Sequence, residues 1–174
     1  MPIRIECTDV LDASADALIL TVDGLKRGME GNIARQFERR YPDDWLDMQR
    51  DIAYPIPLGR TTAVEWDGDC PWRTILIAST LHHIDVLTQQ QKASVVRAAC
   101  AEALTLAARR GCRSVASVVM RGGWRLGLDE GFGAMLDAFR IAGHGVQQIE
   151  LLICLPDEDE AARLSAVAEA RLNK

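Results

Sequence analysis

Ala17-Leu18-Ile19-Leu20-Thr21-Val22 runs directly into Asp23-Gly24-Leu25-Lys26-Arg27-Gly28-Met29-Glu30-Gly31-Asn32-Ile33. The first six residues are almost all apolar and too few for a helix. Such a run bounded by turn signals is a strand buried on both faces, as in a parallel sheet. Three glycines then punctuate the chain, and Ile33, Ala34 and Phe37 recur at helical spacing. A strand, a glycine loop and a helix start leave unpaired backbone N–H groups pointing outward. That arrangement suits an anion, although a loop that merely needs positive φ reads the same way.

Working outward, Ile3, Ile5 and Cys7 alternate with Arg4 and Glu6, which predicts a half-buried strand. Tyr41-Pro42 ends the first helix, and Asp43–Arg50 can form a second short helical piece. Pro55, Pro57 and Gly59 make a loop before strands at Thr61–Trp66 and Arg73–Ser79, joined by the turn Asp67-Gly68-Asp69. The longest helix runs from Gln89 to Arg110, with Gly111 as its C′ residue. Ser114–Met120 is the next strand. A helix follows with Leu128, Phe132, Met135, Leu136 and Phe139 on one stripe, closed by Gly143 and Gly145. Ile149–Leu155 is the last strand, and Asp157, with Glu160 three residues on, caps a final helix. The order β-β-α-β-β-α-β-α-β-α predicts an α/β fold: a mixed, largely parallel six-stranded sheet covered on both faces, in a single domain spanning 1–174. Ligands in such sheets bind beyond the C-terminal ends of the strands. The loops after Val22, Ser79 and Met120 therefore matter most.

The third of these loops is Met120-Arg121-Gly122-Gly123-Trp124-Arg125-Leu126-Gly127. It adds two guanidiniums and an indole. Arginine grips phosphate oxygens with a planar fork, and Trp can stack on a base or cover a ribose. Two such loops side by side would cradle a diphosphate. Neither is a Walker loop or a Gly-x-Gly-x-x-Gly fingerprint. The chain between Leu81 and Gln91 is harder to read. His82-His83-Ile84-Asp85 either reaches the cleft from the strand end or lies on the surface.

Composition narrows the function. The 174 residues are 48% hydrophobic and 26% charged with net charge −5, which disfavours disorder and general nucleic-acid binding. No apolar run nears the roughly 20 residues of a membrane span, and no basic-then-apolar start marks a signal peptide. The five cysteines, Cys7, Cys70, Cys100, Cys112 and Cys154, are odd in number with no Cys-x-x-Cys, so neither a disulfide framework nor a zinc ribbon is expected. This points to the cytoplasm. Cys7, Cys100 and Cys154 read as small core residues. His82, His83 and His144 make no helical ligand pair, so no metal and no cofactor is expected.

In this setting the chain resembles the macro domain family over nearly its whole length. Thr8-Asp9-Val10-Leu11 followed by Asp16-Ala17-Leu18-Ile19 is similar to the family's Gly-Asp-Ile-Thr … Asp-Ala-Ile-Val segment, with the same seven-residue step between the acids. Gly28-Met29-Glu30-Gly31-Asn32-Ile33 resembles its Gly-Val-Asp-Gly-x-Ile loop, and Gly122-Gly123-Trp124-Arg125 its Gly-Ile-Tyr-Gly loop. Pro57-Leu58-Gly59-Arg60 and Leu155-Pro156-Asp157-Glu158 fall in the matching order. The resemblance implies a three-layer α/β/α macrodomain-like fold that binds ADP-ribose or a related nucleotide, with an ADP-ribosylated macromolecule as a further partner. It implies that Asp9, beside Val10, accepts from the adenine amino group. Gly28, Met29, Gly31, Asn32 and Ile33 would hold the diphosphate. Arg121, Gly122, Gly123, Trp124 and Arg125 would form the opposite wall, with Trp124 over the distal ribose.

Departures from the pattern are as informative. Hydrolytic members carry Asn-Ala-Ala-Asn where this chain has Leu20-Thr21-Val22-Asp23. Leu20 removes one amide, and Asp23 exchanges an N–H₂ donor for negative charge. Glu30 replaces the family's frequent loop acid. It either activates a water as a general base or is a helix-start acid favoured by the dipole. Three functions follow. The first is binding of ADP-ribose or a related nucleoside diphosphate in a cleft between the two glycine-containing loops, with weak or absent turnover. The second is hydrolysis of ADP-ribosyl or phosphate-ester linkages by Glu30 and Asp23 as catalytic acids. The third is a non-catalytic interaction domain with an occluded cleft, using exposed aromatics such as Trp45, Trp66 or Trp72.

Overall fold

The computed structural model describes residues 3–28, 31–123, 125–142 and 145–172, with residues 171 and 172 as backbone only. Met29, Glu30, Trp124, Gly143 and His144 lie outside the described residues.

Strand β2 (Ala17–Asp23) has only Thr21 short of full burial. It is parallel to β4 (Thr74–Leu81) on one side and to β5 (Ser114–Ser117) on the other. Strand β6 (Glu150–Leu155) adds to β5, and β1 (Ile3–Cys7) to β6, again in parallel. Only β3 (Thr61–Glu65) is antiparallel, as the hairpin partner of β4. The six-stranded order is β1-β6-β5-β2-β4-β3.

Alternation along β2 builds two cores. Ala17 and Ile19 face one way, with Leu76, Val115 and Ile153, onto α3 (Gln89–Arg109), α4 (Leu128–Ile141) and α5 (Glu158–Leu172). Leu18, Leu20 and Val22 face the other way, with Ile75, Ile77 and Leu152, onto α1 (Asn32–Arg40) and α2 (Pro42–Asp51). The period of two in strand side chains therefore makes three layers, α/β/α. This is the predicted architecture, and each predicted helix and strand forms.

Three helix starts are fixed by side chains. Thr88 and Gln91 complete a reciprocal capping box at α3. The Asp157 carboxylate accepts the Glu160 N–H at 2.9 Å, the expected cap of α5. Glu130 accepts the Gly127 N–H at 2.9 Å at the start of α4.

Three expectations change. Strand β5 ends at Ser117, not Met120, because β2 pairs with it only through Ala17 and Leu18. Beyond that the chain leaves the sheet, and the Met120 N–H turns to the Met135 sulfur. Cys7 is exposed, because β1 is an edge strand and its end lacks a covering layer. Trp45 and Trp72 are buried and Trp66 is half-buried, so none is a free aromatic surface. They fill the α1–α2 core, where the Phe37 ring centroid lies 6.0 Å from Trp45 and 6.2 Å from Trp72. Large rings supply the volume that two short helices cannot. Asp44 reinforces this corner by accepting the Asp69 and Cys70 N–H groups, at 3.1 and 2.7 Å, and so ties α2 to the β3–β4 turn.

Both sheet edges carry ion pairs: Arg4 with Glu6 and Glu150 on β1, and Arg110 with Glu65 on β3. Trp72 is 1% exposed. Its replacement by Ala is expected to cost about 3–5 kcal/mol, measured by denaturant unfolding.

Candidate functional site

A cavity of about 390 Å³ opens across the C-terminal ends of the parallel strands. Its floor is Thr21, Val22 and Asp23 of β2, Val118 and Val119 beyond β5, and Cys154 and Leu155 of β6. One wall is the start of α1, with Gly31, Asn32, Ile33 and Gln36. The other is Arg121, Gly123 and Leu128. Asp9, Val10, Pro156 and Glu160 stand toward β1 and β6, and Thr80 and Leu81 toward β4.

The α1 wall is set by a close approach. A Cβ on Gly31 would lie 2.4 Å from the Thr21 carbonyl oxygen, so glycine alone brings this helix start onto the strand. Gly31 is the N-cap and makes no side-chain cap, and the first helical bond runs from Arg35 N–H to the Gly31 carbonyl. The N–H groups of the first turn therefore have no intrahelical partner, and Gly31, Asn32 and Ile33 line the cavity.

On the opposite wall Gly122 and Gly123 both adopt positive φ, +56° and +66°. A Cβ on Gly123 would sit 2.7 Å from Leu81 Cδ2. The Arg121 guanidinium donates to the Leu126 carbonyl at 2.9 Å and holds the loop's turn.

The β2–β4 register slips at the floor: Val22 pairs with Ser79, and Asp23 with Leu81. Thr80 is the extra residue, a bulge that bends β4 beside the cavity. Asp23 sits here, 5% exposed. Its Oδ1 accepts the Leu25 N–H at 3.0 Å, and its Oδ2 accepts the His83 backbone N–H at 2.9 Å. His83 Nδ1 also lies 2.9 Å from Oδ2. Each carboxylate oxygen thus holds backbone, and Asp23 bolts the segment after β4 to the end of β2.

That segment is a strap. His82 Nε2 lies 3.0 Å from the Ile56 carbonyl oxygen, and Arg125 donates to the carbonyls of Asp85 and His83, at 3.2 and 3.4 Å. The strap therefore joins both glycine loops; none of His82–Asp85 lines the cavity, and Ile84 is exposed.

Of the sequence-predicted site residues, Asp9, Val10, Asp23, Gly31, Asn32, Ile33, Arg121 and Gly123 line one cavity. Gly28, at φ +84°, Gly122, at φ +56°, and Arg125 are not among the lining residues; Arg125 instead holds the strap through Asp85. Met29, Glu30 and Trp124 lie outside the described residues. Asp9 Oδ1 accepts the Leu11 N–H at 2.8 Å while the residue lines the cavity, so it serves a turn and the cleft together. Thr80, Val118 and Glu160 were missed. Strand C-terminal ends point to the first two, and Glu160 required the docking of α5.

Cys154 lines the cavity, but burial pushes its thiol up to about 12. Burial raises Cys100 to about 12 and Cys70 to about 11. Among the described residues no group of His, Cys, Asp and Glu is placed to hold a metal ion, and no helix is long and apolar enough to cross a membrane.

This arrangement is the macrodomain fold. The macrodomain of Mycobacterium tuberculosis DarG superposes with TM-score 0.67 at 21% identity, over 89% of this chain and 98% of that one. The Oceanobacillus iheyensis macrodomain solved with ADP gives 0.76 at 12%, over 97% and 90%. An alphavirus P23pro-zbd gives 0.73 at 16%, where 97% of this chain spans only 24% of the viral one. No protein-family model matches the sequence, and no curated protein does. The fold is thus shown by shape at low identity.

A thiol below its pKa is a poor nucleophile. Alkylation at pH 8 is expected to label exposed Cys7 and to spare Cys154, read by mass spectrometry of the native and unfolded protein.

Proposed function

We propose that the cavity binds ADP-ribose or a related nucleoside diphosphate, with weak or absent turnover. The observation that carries this reading is the uncapped first turn of α1, held on the cavity wall by Gly31. Its N–H groups and the positive end of the helix favour an anion of diphosphate size. Arg121 and Gly123 stand opposite. The apolar floor of Val22, Val118, Val119 and Leu155 supplies contact for a base or ribose. Asp9 is the acceptor for a base amino group. A cavity of this volume suits a small-molecule ligand. The macrodomain of like fold solved with ADP adds support.

Low turnover follows from the strand. Leu20 is fully buried in the α1–α2 core and offers the ligand no amide. Asp23 commits its oxygens to Leu25 and His83. An ADP-ribosylated macromolecule would present the same diphosphate to the same wall.

Calorimetry is expected to give heat with ADP-ribose at micromolar affinity, close to one ligand per chain. Gly122→Val, at positive φ with a Cβ 3.1 Å from the Thr80 carbonyl oxygen, is expected to weaken binding by about tenfold or more. A thermal melt without ligand checks that the variant stays folded. No heat with ADP-ribose or any other adenine nucleotide overturns the reading.

A further inference from the structure

Among the described residues five hydroxyl side chains are buried: Thr61, Thr74, Ser79, Thr80 and Ser117. Four of them have partners in the protein. Thr61 donates to the Ala99 carbonyl and Ser117 to the Val118 carbonyl, each at 2.8 Å. Thr74 accepts from the Cys112 thiol, and Ser79 Oγ lies 3.4 Å from His82 Nε2. Thr80 is the exception. It is 6% exposed and lines the cavity, and its hydroxyl has no hydrogen-bond partner among the described residues. A buried hydroxyl left unpaired costs stability, so one that persists at a cavity wall points to a ligand group.

Thr21 repeats the pattern on the neighbouring strand. It is half-buried, lines the same cavity and has no partner for its hydroxyl among the described residues. Strands β2 and β4 are paired here, Thr21 with Ala78 and Val22 with Ser79, so the two threonines share one stretch of floor. Each stands at the foot of a glycine wall. A Cβ on Gly31 would lie 3.3 Å from Thr21 Oγ1, which puts that hydroxyl at the uncapped first turn of α1. A Cβ on Gly122 would lie 3.1 Å from the Thr80 carbonyl oxygen, which puts Thr80 against the opposite loop. A hydroxyl turns its proton toward whatever acceptor is brought to it, and a bond to a charged oxygen is stronger than one to a neutral group.

We propose that Thr80 and Thr21 are ligand-contact residues, whose hydroxyls donate to oxygens of the diphosphate held between the two walls. This rests on the nucleotide-binding reading above and names the side chains that grip the diphosphate from the floor.

The test is calorimetry of the full chain with ADP-ribose and with ADP, for the wild type, Thr80→Val and Thr80→Ser. Valine keeps the branched outline and removes the hydroxyl, whereas serine keeps the hydroxyl. Thr80→Val is expected to bind both ligands about tenfold more weakly, the loss of one hydrogen bond to a charged group. Thr80→Ser is expected to recover most of the affinity. The melting temperature of Thr80→Val without ligand is expected to be unchanged or higher, because a methyl replaces an unpaired hydroxyl. A purely structural threonine would give the reverse, lower stability with affinity intact. Thr21→Val is expected to weaken both ligands in the same way, and it decides the matter should Thr80→Val not fold. Unchanged affinity in these valine variants, or a loss confined to ADP-ribose, overturns the diphosphate contact and leaves the binding reading intact. Binding of neither ligand by the wild type overturns the binding reading, and this inference with it.

Discussion

Strand β2 is buried on both faces along nearly its whole length, and that constraint organises the molecule. A strand with helices on either side admits no unsatisfied polar group, so its residues alternate between two apolar cores. Polarity is admitted only where the strand emerges from the sheet. There the register slips, Thr80 bulges from β4, and Asp23 takes up three donors. The candidate site is therefore a product of the core's end. The same apolar strand that excludes water from the middle delivers one carboxylate to the rim.

From that rim the two glycine loops are coupled. Asp23 holds the strap through His83, and Arg125 holds the strap from the far loop. Neither contact needs a ligand. The walls are thus set in advance by hydrogen bonds to charged groups, which are stronger than neutral ones. Preorganisation of this kind lowers the ordering cost of binding.

Much of this was legible in the sequence, for identifiable reasons. Apolar runs, helical stripes, turn residues and caps together found each α-helix and strand, because these signals are local. Asp157 is a local signal, and helix caps act locally. What sequence could not supply depended on distant partners. Cys7 looked like core by alternation, but its exposure is decided by the position of β1 at the sheet edge. Trp45 and Trp72 read as exposed aromatics, but both pack on Phe37 once α2 is tied to the β3–β4 turn, a contact between distant segments. Asp23 was read as a ligand-facing acid. Its bond to His83 spans 60 positions, a pairing no local pattern announces. Arg125 was read as a phosphate clamp, and its carbonyl partners likewise belong to a separate loop.

The ion pairs on the outer strands have a consequence beyond this fold's own stability. An open sheet ends in two rows of unpaired backbone groups, each able to recruit a strand from a second molecule. Here β1 carries Arg4 bridged to Glu6 and Glu150, and β3 carries Glu65 bridged to Arg110. An incoming strand would have to strip water from these charges before gaining any backbone bond. Charge on an edge strand disfavours such pairing, and both margins of the sheet carry it.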